Sequence, residues 1–365
     1  MTRFWLPPMR WLMAIRKLSD KIRHIDAALD GKSEVAATIA PALRLADLRF
    51  LPATLPEVDL QNIDMKLTFL GKTISAPVMV APMTGGLKQA GDINRRMAAA
   101  AEAVGIPFGV GSQRVALEVA ERAIDFKVRD VAPTIPLFAN LGAIQLVKGY
   151  GPDDALRAVE MIEADALYLH LNAMQEVVQE GGDTAWTGVL SAIEKVCTSF
   201  KQRGACPVFV REVGFGIPED FARRLLEAGV DGFDCAGVGG TSWTLVEGRV
   251  AEGARARTLG QTFADWGLTT AESITQVRRA TNDLPIVASG GIRTGLDVAK
   301  CVALGATIAG MASPVLRAAI EGDEAVVDFL ETVLAEIRAT LFGVGAPHLE
   351  AFRKDSRLMA FGSST

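Results

Sequence analysis

The chain of 365 residues is poor in cysteine and poorer still in histidine. Its four cysteines, Cys197, Cys206, Cys235 and Cys301, form no CxxC pair. That argues against a zinc site or a disulfide framework and fits a reducing, cytoplasmic setting. The three histidines, His24, His170 and His348, belong to no H-E-x-x-H motif, and no G-x-S-x-G is present. Zinc-enzyme and serine-hydrolase readings therefore lose ground. No apolar run reaches 18 residues, so no transmembrane helix is expected. The apolar start, "MTRFWLPPMRWLMAIRK", is broken by Arg10 and two prolines and is followed by no A-x-A site. It reads as a flexible or partner-binding extension rather than a signal peptide. No basic stripe alternates with aromatics, and the net charge is −5, so nucleic acid is not an expected partner.

What the chain does have is a repeated unit. Short apolar runs end in small or polar residues and give way to helical patterns. The runs are "PVMVAPMTGG" (77–86), "IPFGVGSQR" (106–114), "PLFANLGA" (136–143), "ALYLHLNAMQE" (166–176), "PVFVREVGFG" (207–216), "GFDCAGVGGTSW" (232–243), "PIVASGGIRTG" (285–295) and "ATIAGMASP" (306–314). Between them, "NRRMAAAAEAVG" and "EDFARRLLEAGV" are the clearest amphipathic helices. Buried parallel strands read as continuous apolar runs, and alternation with helices implies βα units. Eight such units predict an α/β fold, a (β/α)8 TIM barrel. An open doubly wound sheet competes, but it would usually carry a G-x-G-x-x-G turn after its first strand, where this chain has "APMTGG". The predicted organisation is an N-terminal extension with a helix and a small strand pair (1–76), a barrel (77–352) and a tail (353–365).

Polar residues gather where the predicted strands end, at the face on which barrels carry their active sites. "ASGGIRTGLDVAK" places Gly290, Gly291 and Arg293 before a helix near Leu296, and "AGMASP" follows one unit later. Loops after strands seven and eight usually hold phosphate, because glycines let backbone N–H groups approach an anion. An unliganded tight turn would leave the same residues. "HLNAMQEVVQ" puts His170 and Asn172 on one strand face, with Gln175 and Glu176 in the loop beyond. A carboxylate there could hold Mg2+ through oxygen. A hydrogen-bonded core histidine and a solvated first helical turn are the plainer alternatives. Ser112, Gln113 and Arg114 end strand two, and arginine suits phosphate. In "PVFVREVGFG" the alternation sends Arg211 and Glu212 to opposite faces, so they are not a simple neighbouring ion pair.

Taken in order, "APMTGG", "GVGSQR", "NLGA", "HLNAMQE", "REVGFG", "GGTSW", "FADWGLTTAES" and "SGGIRTGLDVAK" resemble the type 2 isopentenyl-diphosphate Δ-isomerases, FMN-dependent barrels. Related 2-hydroxy-acid oxidases share the "SGGIR" type of loop but carry a histidine near strand seven, where this chain has none. The resemblance implies a 1,3-allylic proton shift between isopentenyl and dimethylallyl diphosphate. It implies FMN, NADPH to reduce it, Mg2+ on the substrate diphosphate, and a homo-oligomer, tetramer or larger. By motif, FMN would meet Ala81, Pro82, Met83, Thr84, Ser112, Asn140, Arg211, Thr241, Gly290, Gly291, Arg293, Ala309 and Gly310. The diphosphate would meet Lys21, Ser112, Gln113, Arg114, His170 and Asn172. Gln175 would face the reacting carbons as the catalytic group, and Glu176 would hold the metal. Two positions depart from the family pattern. Asp20 stands where an arginine is expected beside Lys21, and Arg211 stands where the family has lysine. A milder departure is Ala173-Met174 in place of Pro-Leu. They leave open an FMN-dependent oxidoreductase or isomerase acting on another, possibly phosphorylated, substrate.

Overall fold

Side chains of a strand alternate between its two faces, and this alternation builds the molecule in shells. A computed structural model describes residues 23–24, 26–28, 30–35, 43–83 and 88–360. Eight strands close into a parallel barrel: β1 (Val78–Val80), β2 (Phe108–Gly109), β3 (Leu137–Gly142), β4 (Ala166–Leu171), β5 (Val208–Glu212), β6 (Gly232–Asp234), β7 (Ile286–Ser289) and β8 (Ile308–Met311). The ring shuts where β8 pairs with β1, Gly310 opposite Met79. The apolar runs of the sequence are these strands, and the eight-unit barrel is the observed fold.

Met79, Phe138, Tyr168, Phe209, Val287 and Ile308 point inward and pack as one buried cluster. Phe138 stacks on Tyr168 with ring centroids 4.4 Å apart and meets Phe209 edge-on at 5.4 Å. Gly232 makes room for Phe209, whose ring a Cβ at 232 would meet at 2.2 Å. The alternate residues, such as Val80, Leu167, Leu169, Val208 and Val210, pack outward in the larger core under the helices. A short antiparallel pair, Leu67–Phe69 with Lys72–Ile74, adds Phe69 and Ile74 to the inner cluster. The barrel is therefore a packed core, open at the strands' C-terminal ends.

The N- and C-terminal parts are tied together. Leu48–Phe50 pairs antiparallel with Leu358–Ala360, so this part of the predicted tail is a strand. Near the N-terminus, Val35 N donates to Gly240 O at 3.0 Å and Ser242 N donates to Ser33 O at 2.8 Å. Arg249 clamps Asp30 with two guanidinium nitrogens and also reaches Ser33 Oγ at 2.9 Å. Residues 30–35 are thus fastened to the loop after β6 and to the helix Trp243–Val250.

Candidate active site

Moving two residues up each strand from the inward cluster reaches a different layer. Phe138 becomes Asn140, Tyr168 becomes His170, Phe209 becomes Arg211, Val287 becomes Ser289 and Ile308 becomes Gly310. The register sets these side by side: Gly142 faces His170, His170 faces Arg211, and Arg211 faces Asp234. A cavity of about 470 Å3 opens above them. The same period-two rule that packs the aromatic layer also gathers the polar one.

Arg211 is nearly buried and donates to Asp234, which is completely buried. The other oxygen of Asp234 accepts from Ser289 Oγ at 2.6 Å. The Arg211 guanidinium also lies 5.7 Å from the Tyr168 ring centroid, within cation–π range. Burial raises the Asp234 pKa, and Arg211 and Ser289 work against that rise. Glu212, on the opposite face as its register predicts, accepts from Val213, Gly214 and Phe215 N–H through one oxygen at 2.6, 2.7 and 2.6 Å. It shapes the loop that brings Val213 and Gly214 to the cavity. Burial pushes its pKa up to about 7.

Asn140 Nδ2 donates to Val110 O at 3.1 Å, which leaves its Oδ1 as acceptor for His170 Nδ1 at 2.8 Å. His170 is thereby held in one tautomer, with Nε2 free of hydrogen. Burial, with Arg211 and Arg114 nearby, drives its pKa down to about 3, so the ring is neutral.

Gln175 and Glu176 do not sit in a loop. They lie on a short helix, Ala173–Val178, that starts straight after β4. Gln175 Nε2 donates to Glu247 Oε1 at 2.7 Å. The other oxygen of Glu247 lies 3.0 Å from His24 Nε2. Glu176 is buried, taking Asn172 Nδ2 on one oxygen at 2.9 Å and Asp183 N on the other at 2.7 Å.

The helix after β7, Gly295–Ala303, begins with a capping box. Thr294 Oγ1 accepts from Asp297 N at 3.2 Å, Asp297 Oδ2 takes the Arg293 and Thr294 N–H groups, and Glu336 takes Gly295 N. The helix after β8, Ser313–Glu321, has no side-chain cap, and Ala312, Ser313 and Pro314 line the cavity. Of the two, only the latter helix presents an N-terminus without a side-chain cap to the cavity. Gly290 and Gly291 turn beside it with φ of +102° and +73°. Arg293 donates to Glu34, which Arg317 also holds, each at 2.8 Å. Burial alone would raise the Glu34 pKa, but the two guanidinium groups outweigh it and hold it low.

The sequence-derived candidates separate cleanly. Pro82, Met83, Ser112, Arg114, Asn140, His170, Asn172, Gln175, Glu176, Arg211, Thr241, Gly290, Gly291, Arg293 and Gly310 line the one cavity. Ala81 and Ala309 are buried in the wall behind it. Gln113, expected at the diphosphate, turns its side chain away from the cavity. It is completely buried, donating to Ala158 O at 2.8 Å and accepting from Asn140 N at 2.9 Å, so it braces Asn140. Lys21, Asp20 and Thr84 lie outside the described residues. Sequence reasoning missed Asp234, Ser289, Glu247 and Glu34. The first two carry a signal, being two residues above Gly232 and Val287 in strand register. Glu247 and Glu34 carry none, because only the fold brings them to the cavity.

A closed parallel barrel with a polar floor and glycine turns at the strands' C-terminal ends places the chain in a class, the TIM barrels. Residues 22–128 and 193–358 match the FMN-dependent dehydrogenase family. Mandelate oxidase structures share the fold, with a TM-score of 0.63 and 20% identity over 94% of this chain and 96% of the oxidase. Within that class the sequence similarity is more specific. The chain is 48% identical over 310 residues to isopentenyl-diphosphate delta-isomerase of Nostoc sp., covering 85% of this chain and 87% of the relative. It is 45% identical over 338 residues to the enzyme of that name from Stutzerimonas stutzeri, covering 92% and 96%. This protein belongs to the isopentenyl-diphosphate delta-isomerase family.

Proposed function

We infer that this chain isomerises isopentenyl diphosphate to dimethylallyl diphosphate, an allylic shift of one proton with no net redox change. The carrying observation is Gln175, held by buried Glu247 on the wall of the cavity. An amide fixed by a carboxylate keeps one orientation and can hold a reacting carbon in place without being consumed. Family membership supports the same reading.

The residues present fit FMN. Gly290, Gly291 and Gly310, with the uncapped helix Ser313–Glu321, offer backbone donors for its phosphate. Arg211, fixed by Asp234, sets a cation in the floor of the cavity. When bound and reduced, FMN supplies an electron-rich ring able to give and take a proton. NADPH would provide that reduction. Arg114 and neutral His170 would receive the diphosphate, whose charge favours a proton on His170 Nε2.

Mg2+ also fits. It takes one or two protein oxygens and completes its shell with phosphate and water. Glu176 is oriented by two N–H donors, and no cluster of three or more His, Cys, Asp or Glu exists among the described residues. A sparse site completed by substrate suits that arrangement.

Free cysteines support a cytoplasmic, reducing location, and no helix among the described residues is long and apolar enough to cross a membrane. A homo-oligomer belongs to the same reading by family resemblance, and sedimentation would test it.

The test of the activity is anaerobic. FMN-loaded protein reduced with NADPH should convert isopentenyl diphosphate in the presence of Mg2+ without further NADPH use. No dimethylallyl product would refute the reading. Stoichiometric NADPH oxidation with substrate turnover would indicate an oxidoreductase instead.

A further inference from the structure

Three described residues from before the barrel line the cavity: His24, Ala28 and Glu34. Glu34 gives one oxygen to Arg293 Nη2 and the other to Arg317 Nη2, each at 2.8 Å. Arg293 follows β7, and Arg317 lies in the helix after β8. One carboxylate from the N-terminal segment thus joins the last two units of the barrel.

The backbone around it forms a stack. Residues 33–35 add an antiparallel edge to the loop after β6, with Glu34 opposite Thr241 and Val35 N donating to Gly240 O. Gly240 in turn lies so close to the glycine turn that an added Cβ would be 2.5 Å from Gly291 N. Arg293 braces the same turn, donating from Nη1 to Gly291 O at 2.9 Å and to Gly239 O at 3.3 Å while its Nη2 reaches Glu34. The pre-barrel chain therefore lies over the end of the cavity where the flavin phosphate is placed above.

A free carboxylate here would repel a phosphate, but two guanidinium groups offset it and leave that end positive. Without Glu34, Arg293 and Arg317 would be like charges with no other carboxylate bonded to either among the described residues. The links are also weak ones. Arg293 and Arg317 are 43% and 40% exposed, and Arg249 and Asp30, which fasten the near end, are each 33% exposed. Exposed ion pairs contribute little, so this segment can open while the barrel stays folded.

We propose that Glu34 latches residues 30–35 as a strap over the phosphate end of the flavin site, so that flavin enters and leaves only when the latch opens. The proposal rests on the reading of the cavity as an FMN site. Arg293 and Arg317 then serve as the two halves of the catch, and Arg293 also steadies the glycine turn beneath it.

The experiment follows FMN on the full chain by flavin fluorescence, in association after mixing with flavin-free chain and in release after dilution. Glu34→Gln should speed association and release alike, each roughly fivefold, the scale of two exposed ion pairs, with Kd within about twofold of wild type. Arg317→Gln should speed both by less. The double variant should be no faster than Glu34→Gln alone, since both changes cut one latch, and additive effects would overturn the proposal. Faster release with association unchanged would make Glu34 a flavin-holding contact and not a latch. Faster association with slower release would make it a charge that repels the phosphate. Either result overturns the latch, as do unchanged rates, and each leaves the FMN site standing because FMN still binds. Circular dichroism should match wild type, and an unfolded Glu34→Gln would assign Glu34 to the fold instead. If wild type binds no FMN, the flavin site and the latch fall together.

Discussion

Gln175 Nε2 lies 2.7 Å from Glu247 Oε1, although the two residues are 72 positions apart. Glu247 is 2% exposed and its other oxygen meets His24 from the N-terminal segment. One buried carboxylate thus joins the short helix after β4, the helix after β6 and the chain that precedes the barrel.

Glu247→Leu should free the Gln175 amide while leaving the flavin pocket standing. Turnover is expected to fall roughly 100-fold, the scale of a lost positioning contact. FMN content, read from flavin absorbance, should stay near wild type. Gln175→Ala should behave alike, and a wild-type rate in that variant would remove Gln175 from the chemistry.

Arg211→Ala should destabilise the fold by about 3–5 kcal/mol, because it strands the completely buried Asp234 carboxylate. Arg211→Lys keeps a charge for Asp234 but loses the planar contact with Tyr168. It should fold, and thermal melting of the two variants checks the difference. The family resemblance expects lysine here, so a large rise in isomerase rate for Arg211→Lys would show that the arginine has moved this chain away from that task.

Glu212 titrates against stability in a definite direction. Its folded pKa of about 7 lies above the ordinary carboxyl value of 4.5, raised by burial. Such a group favours the fold below pH 4.5, and the contribution disappears as pH rises through 7. At about 1.4 kcal/mol per pH unit, the swing is about 3–4 kcal/mol. Glu212→Gln keeps an oxygen for the three N–H groups and cannot ionise, so its gain over wild type should grow between pH 5 and 8 in urea titrations. Glu212→Ala should be destabilised throughout that range.

Gly290→Ala tests the proposed phosphate role of the glycine turn. With φ at +102°, an added Cβ would lie 2.2 Å from Gly237 O and 2.7 Å from Thr270 Oγ1. The strained backbone alone costs about 1–3 kcal/mol. The turn must move away from the loop after β6 and the helix that starts at Thr270, and FMN retention after gel filtration should fall sharply with the barrel otherwise folded by circular dichroism.

Much of this architecture is already written locally. Continuous apolar runs announce buried parallel strands, and eight of them alternating with helices announce a barrel. Period-two alternation then places Asn140, His170 and Arg211 on the inner face, and sends Glu212 to the other. These properties depend on a residue's own strand and survive without knowledge of its neighbours. The side chain of Gln113 shows the opposite dependence. Its motif neighbours, Ser112 and Arg114, do line the cavity, but its own side chain finds Ala158 and Asn140 across the wall. Pairings of that kind join positions far apart in the chain. Arg211 with Asp234, Gln175 with Glu247, and Glu34 with Arg293 and Arg317 exist only once the barrel has closed. Strand periodicity decides which face a side chain occupies, whereas barrel register and the crossing N-terminal segment decide what it meets there.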